Sequence, residues 1–241
     1  MHGTKAIYLR ELGAYVRSPL GWVIAAVLLL VDGILFQTQA LSGQQLSAIV
    51  LERFFWSTSG VVMIASIALS IRLIAEERQN HSIVLLTTSP VRDAAIVAGK
   101  FFAALTFLGI VLALSLYMPL MIKVNGKVTA AQIAVGYTGL MMLGAASLAI
   151  GIFASSLTRQ QLVAAVLGAA MLTLMVMLFP LAKRVDAPLR DILSELDLWW
   201  VHYQNGFMRG ILNLKDVIYY VAVTYFFLLL SVKTLEAKRW H

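Results

Sequence analysis

Four histidines, one carboxylate embedded in apolar sequence and one short charged run are the residues of this 241-residue chain whose types could support chemistry. His2 and His241 are terminal, His81 lies in the charged run, and His202 stands among aromatics. None falls inside an apolar stretch where it could activate a buried serine. HExxH and GxSxG are both missing, so neither a zinc protease helix nor a nucleophile elbow is expected. GxxxxGK[ST] is missing as well, so the chain is not expected to hydrolyse nucleotide by itself. There is no cysteine, which removes disulfides, thiolate metal sites and thiol catalysis. The expectation is a non-enzyme with no catalytic residue, no metal site and no directly bound cofactor.

The embedded carboxylate is Asp32, in Val-Leu-Leu-Leu-Val-Asp-Gly-Ile-Leu-Phe. A charged side chain at the centre of a bilayer costs about 2.5–3.5 kcal/mol on insertion scales. Two readings stand. Asp32 faces a transport pathway or a dimer interface, or it sits near the outer headgroups beside Gln37 and Thr38. The charged run begins at Glu76, Glu77 and Arg78, passes His81 and Ser82, and enters a short apolar helix over Ile83, Val84, Leu85 and Leu86. Thr87, Thr88, Ser89 and Pro90 then break it. A short helix held at the membrane by two rigid spans can pass a push from a soluble protein into both. Residues 76–90 therefore read either as a coupling loop or as charged residues beside a span that simply contact the headgroups.

Those residues must be positioned by membrane spans. The chain is 60% hydrophobic and 13% charged, where soluble domains carry about 25% charged residues. Its mean hydropathy is +0.84. About 20 apolar residues cross a bilayer, and six segments qualify: about Leu20–Phe36, Phe55–Ile74, Pro90–Ile122, Ala131–Ser155, Leu162–Phe179 and Val217–Val232. The fold class expected is an all-α integral membrane protein, one domain over 1–241. Ahead of the spans, residues 1–18 carry an amphipathic helix from Lys5 to Arg17. Tyr8, Leu9, Leu12, Tyr15 and Val16 share its apolar face, and Arg10, Glu11 and Arg17 lie opposite, so it is expected to lie in the membrane interface.

Ser18-Pro19 and Ser89-Pro90 both read as helix starts. Val124-Asn125-Gly126-Lys127 reads as a tight turn, and Pro180 as the exit of the fifth span. In the fourth span Ser147, Gly151 and Ser155 recur every four residues, and Gly168 offers a small face in the fifth; such spacing allows close helix approach. Ser147, Gly151 and Gly168 join Asp32 as pathway or dimer-interface candidates. Residues 183–215, with Trp199, Trp200, Tyr203 and Phe207, are expected to form helices lying at or dipping into the outer interface. With both termini inside, eleven of the 19 Lys and Arg residues fall on the cytoplasmic side. The net charge of +7 reflects that retention, so no nucleic-acid partner is expected.

The runs Glu76-Glu77-Arg78, Leu85-Leu86-Thr87-Thr88-Ser89-Pro90-Val91 and Gly99-Lys100-Phe101 resemble the coupling segment of ABC exporter permeases of the second superfamily, the type V exporters. Ser155-Ser156-Leu157-Thr158-Arg159, Arg209 to Asp216 and Leu235 to Trp240 extend the resemblance over nearly the whole chain, which is similar to gliding-motility-type permease subunits. Where such permeases carry Gly-Thr after the acidic-basic run, this chain has Asn80-His81-Ser82. The resemblance implies a permease subunit in the bacterial cytoplasmic membrane that pairs with a second copy or a paralogue. Two cytosolic ATPase subunits would hold ATP and magnesium. A membrane-anchored subunit with a large extracytoplasmic domain is a further expected partner. Either a substrate crosses, or the ATPase drives an extracytoplasmic machine and nothing crosses.

Overall fold

The computed structural model describes residues 2–40, 46–76 and 92–238. Among them are nine α-helices: α1 (His2–Arg17), α2 (Pro19–Leu35), α3 (Ser47–Ile71), α4 (Asp93–Ser115), α5 (Tyr117–Asn125), α6 (Ala130–Leu157), α7 (Gln161–Ala182), α8 (Leu189–Glu195) and α9 (Leu214–Lys238). Among the described residues six stretches are long and apolar enough to cross a membrane: Gly21–Thr38, Ser47–Ala75, Asp93–Val124, Ala130–Leu157, Gln161–Ala182 and Leu214–Ala237. They are numbered here as spans 1 to 6.

The helix ends follow local chemistry. Thr129 accepts the Gln132 amide while the Gln132 side chain accepts the Thr129 amide, a reciprocal cap that starts α6. Pro119 has no amide to donate and crowds the carbonyl one turn back. Its effect is the break between α4 and α5, so the single third span expected from hydropathy is two helices in series. Pro180 does not end the fifth span as its sequence position suggested. It lies inside α7, and within that helix the Met175 carbonyl accepts the Leu198 amide at 3.3 Å. Span 2 starts at Ser47, well before Phe55, because Val50, Leu51 and Phe54 in its first turns are buried.

Span 4 is the hub, packed against spans 2, 3, 5 and 6. Its small residues allow this: a Cβ on Gly136 would fall 2.1 Å from the Phe55 ring, and one on Gly139 2.3 Å from Phe207. Spans 1, 5 and 6 leave most of their surface open, with Trp22, Val27, Leu30, Leu162, Val166, Leu174, Ile218 and Phe226 exposed. Apolar side chains on that surface face lipid or a second membrane chain at little cost.

α1 packs along α4 with a different face from the one its hydropathy suggested. Ile7 and Tyr15 are buried, Leu9 and Val16 are exposed, and Glu11, read as outward, points in. Gly99 lets α1 approach: a Cβ there would meet Ile7 at 2.9 Å. The inward Glu11 is explained by its partner, Lys100 of α4.

Candidate coupling and pathway residues

At the end of the bundle that carries α1, α3 does not stop cleanly. Residues Arg72–Glu76 widen into a π-turn, and the chain resumes as α4 at Asp93, which sits in the first turn where the helix dipole favours a carboxylate. Glu76 closes the π-turn. Glu77, Arg78, His81, Ser82, Ile83, Leu86, Thr87, Ser89 and Pro90 lie outside the described residues. What the structure places is therefore the pair of anchors on either side of the expected coupling loop.

The first anchor is Ser155 of α6. Its hydroxyl accepts the amides of Ala75 at 2.9 Å and Ile74 at 3.3 Å, and donates to the Ile71 carbonyl at 3.0 Å. The second anchor is α1 on the start of α4. Lys100 Nζ meets Glu11 Oε1 at 2.9 Å, and Arg10 reaches the same oxygen at 2.6 Å. Burial raises the affinity of Glu11 for its proton, but the two cations outweigh it and hold the carboxyl below the usual glutamate range. Tyr8 donates to Thr106 at 3.3 Å, and Tyr15 donates to the Leu69 carbonyl at 2.9 Å while stacking on Phe107. Through Tyr15, α1 touches span 2 as well as span 3.

The pathway candidates are all covered within one chain. Asp32 is 1% exposed, and neither carboxyl oxygen has a hydrogen-bond partner. The hydroxyl of Thr58, on α3, is buried as well and has no hydrogen-bond partner. The carboxyl is also within electrostatic reach of Tyr137 and Tyr203. Ser147 is buried and donates its one hydroxyl hydrogen to the Leu143 carbonyl of its own helix. Gly151 backs onto Ser70, where a Cβ would fall 1.8 Å from the hydroxyl. Gly168 is looser, with Ile67 and Ala154 at 3.4 and 3.5 Å from the same construction. Gly151 and Gly168 thus lie along the contacts of span 4 with spans 2 and 5, and Asp32 lies on span 1.

At the opposite end, the aromatic segment enters the bundle. Trp199, Tyr203 and Phe207 are buried. Trp199 donates to Ser59 at 2.9 Å, Tyr203 to the Phe55 carbonyl at 3.2 Å, and Tyr220 to the Leu198 carbonyl at 2.6 Å. Asp197 Oδ2 gathers the amides of Trp199, Trp200 and Val201 into one turn. Burial pushes its carboxyl above the usual aspartate range against the pull of those amides. His202 sets Nδ1 2.8 Å from Asp216 Oδ1 and Nε2 3.0 Å from the Glu195 carbonyl, and stacks on Tyr219. Aromatic density had pointed to an interface but not to these backbone partners, which carry no residue signature.

Among the described residues no three His, Asp or Glu side chains gather into a metal-binding group. No curated protein and no solved structure matched the chain. A family model described as ABC-2 family transporter protein matches residues 5–231. ABC-2 permeases are multi-span membrane subunits that are typically non-catalytic and work with separate ABC ATPase subunits. With six apolar spans and a family match running from α1 into the last of them, the chain belongs to the ABC-2 family of transporter permeases.

Proposed function

We propose that the chain is the permease subunit of an ATP-driven exporter in a bacterial cytoplasmic membrane, of the gliding-motility type that its sequence resembles. It pairs with a second copy or a paralogue, and two cytosolic ATPase subunits bind beneath. Residues 76–90 and α1 are the surface those ATPases grip, and the α1 end of the bundle is cytoplasmic. The family match over residues 5–231 carries this reading. The two anchors support it: both ends of the loop are tied into the bundle, so a push there cannot dissipate in a slack connection. Closure of the ATPases around ATP displaces the loop and shifts spans 1, 2 and 5, opening a route between the two permeases with Asp32 on it.

An alternative has its own supporting observation. α8 buries none of its residues, and Leu189, Ile192 and Leu196 are exposed together. That apolar surface fits a membrane-anchored subunit with a large extracytoplasmic domain, which the same cycle would drive without moving a substrate. Both readings share the ATPase contact, so it is tested first. The wild-type permease is expected to co-purify with a P-loop ATPase and stimulate its turnover. Glu77→Ala and Leu86→Asp are expected to remove the stimulation while leaving the permease in the membrane. Full stimulation in both variants overturns the docking assignment.

A further inference from the structure

The hydroxyl of Ser155 is used to its limit. A serine offers one donated hydrogen and two acceptor lone pairs, and all three are engaged, by the Ile71 carbonyl and the Ile74 and Ala75 amides. Every one of those partners is a backbone group of span 2. The reason is the π-turn. In an α-helix each amide reaches the carbonyl four residues back, and widening to five at Arg72–Glu76 shifts that register, so groups at the junction lose their partners. Here the junction is buried: Ile74 is 2% exposed, while Ala75 and Ser155 are fully covered. Buried backbone groups left without partners are costly. Ser155 is placed to serve them by Gly151 one turn earlier, where the missing side chain lets α6 meet Ser70 of α3.

We infer that Ser155 is a positioning residue that fastens the loop-side end of span 2 to span 4, so that the two move as one body. Span 4 is the hub of the bundle, so a displacement arriving at residues 77–91 is delivered to spans 3, 5 and 6 as well as to span 2. Without the hydroxyl, the π-turn loses three hydrogen bonds at once and span 2 moves alone. This consequence for transmission rests on the docking of the ATPase at residues 76–90; the clamp itself does not.

The clamp is read first on the permease alone, by hydrogen exchange at the Ile74 and Ala75 amides. Ser155→Ala is expected to speed exchange there by about tenfold or more, with residues 98–112 of span 3 still protected. Ser231→Ala, which loses a hydroxyl bonded only within its own helix, is expected to leave the two amides unchanged. If Ser155→Ala does not fold, Ser155→Thr and Ser155→Val carry the same comparison, since they match in volume and differ by the hydroxyl. Wild-type exchange in Ser155→Ala, or equal exchange in the Thr and Val variants, overturns the clamp. The second reading uses the complex with its ATPase and a non-hydrolysable ATP analogue. In the wild type, exchange is expected to change on nucleotide binding in both 69–76 and 150–157. In Ser155→Ala the change at 150–157 is expected to vanish while that at 69–76 stays; its persistence at 150–157 overturns the transmission role. No change in either segment of the wild type counts against the docking of the ATPase and leaves the first reading to decide the clamp.

Discussion

Glu11 shows how one residue's environment decides its role. Helical periodicity sets it opposite the apolar face, beside Arg10, where the ordinary expectation is a solvated charge. Its partner, Lys100, is 89 positions away and 1% exposed in the side chain, so no local pattern discloses the pair. The sign of its pH dependence follows from the depressed carboxyl. A group held below its unfolded value contributes stability that is complete above that value, about 4.3 for glutamate, and is lost as the pH falls through the folded one. The difference in thermal stability between the wild type and Glu11→Gln is therefore expected to be full at neutral pH and to shrink below about pH 4. At neutral pH the substitution is expected to cost about 1.5–3 kcal/mol, the worth of a hydrogen bond to a charged group. Detergent thermal melts across pH check both; a difference independent of pH would remove the charge pair from the account. Asp32 makes the opposite prediction. Its oxygens have no partner, so nothing structural is lost with its charge. Asp32→Asn is expected to leave the thermal midpoint unchanged or higher while altering the transport or ATPase rate of the complex. A clear fall in midpoint, with the rates intact, would make it a structural residue.

At the scale of elements, Gly151 and Gly168 separate two positions that look alike in the sequence. Both belong to small-residue faces, yet a Cβ at Gly151 collides with Ser70 and one at Gly168 makes ordinary contacts. Gly151→Ala is expected to cost about 1–3 kcal/mol, the range for overpacking, and to speed exchange around Ser70. Gly168→Ala is expected to be neutral or to stabilise by up to about 1 kcal/mol through helix propensity. Thermal melts of the two variants side by side check the ranking, and a larger loss at Gly168 would contradict the packing described here. The same comparison shows what periodicity can and cannot disclose. Six spans were legible because bilayer thickness imposes a length and a composition, but the start read at Ser89-Pro90 was not: Arg92 is extended and α4 begins at Asp93 without a side-chain cap. The α4–α5 break was signalled by Pro119 but lost in a hydropathy that stays high across it. The π-turn at Arg72–Glu76 and the seat of Tyr203 depend on backbone carbonyls and amides, which every residue carries, so no residue type announces them.

For the whole molecule, the uneven cover of the spans matters most. Span 4 is enclosed, while spans 1, 5 and 6 present long apolar faces, as expected of a subunit made to sit beside lipid and another membrane chain. The two ends of the bundle are built differently. One is sealed by aromatics that hydrogen-bond to span 2; the other ties Ser155 and α1 to either side of the 77–91 segment. In the proposed cycle force enters at the tied end, and the sealed end is where the bundle must yield for anything to leave. The claim on which this depends is that an ATPase is bound there at all, and mass spectrometry of the intact detergent-solubilised complex tests it most directly. The account predicts a particle containing two permease subunits, two copies of the 26.4 kDa chain or one with a paralogue, together with two subunits of a P-loop ATPase that are lost in Leu86→Asp. The 26.4 kDa chain alone, with no ATPase retained under the gentlest conditions that keep it folded, would contradict it.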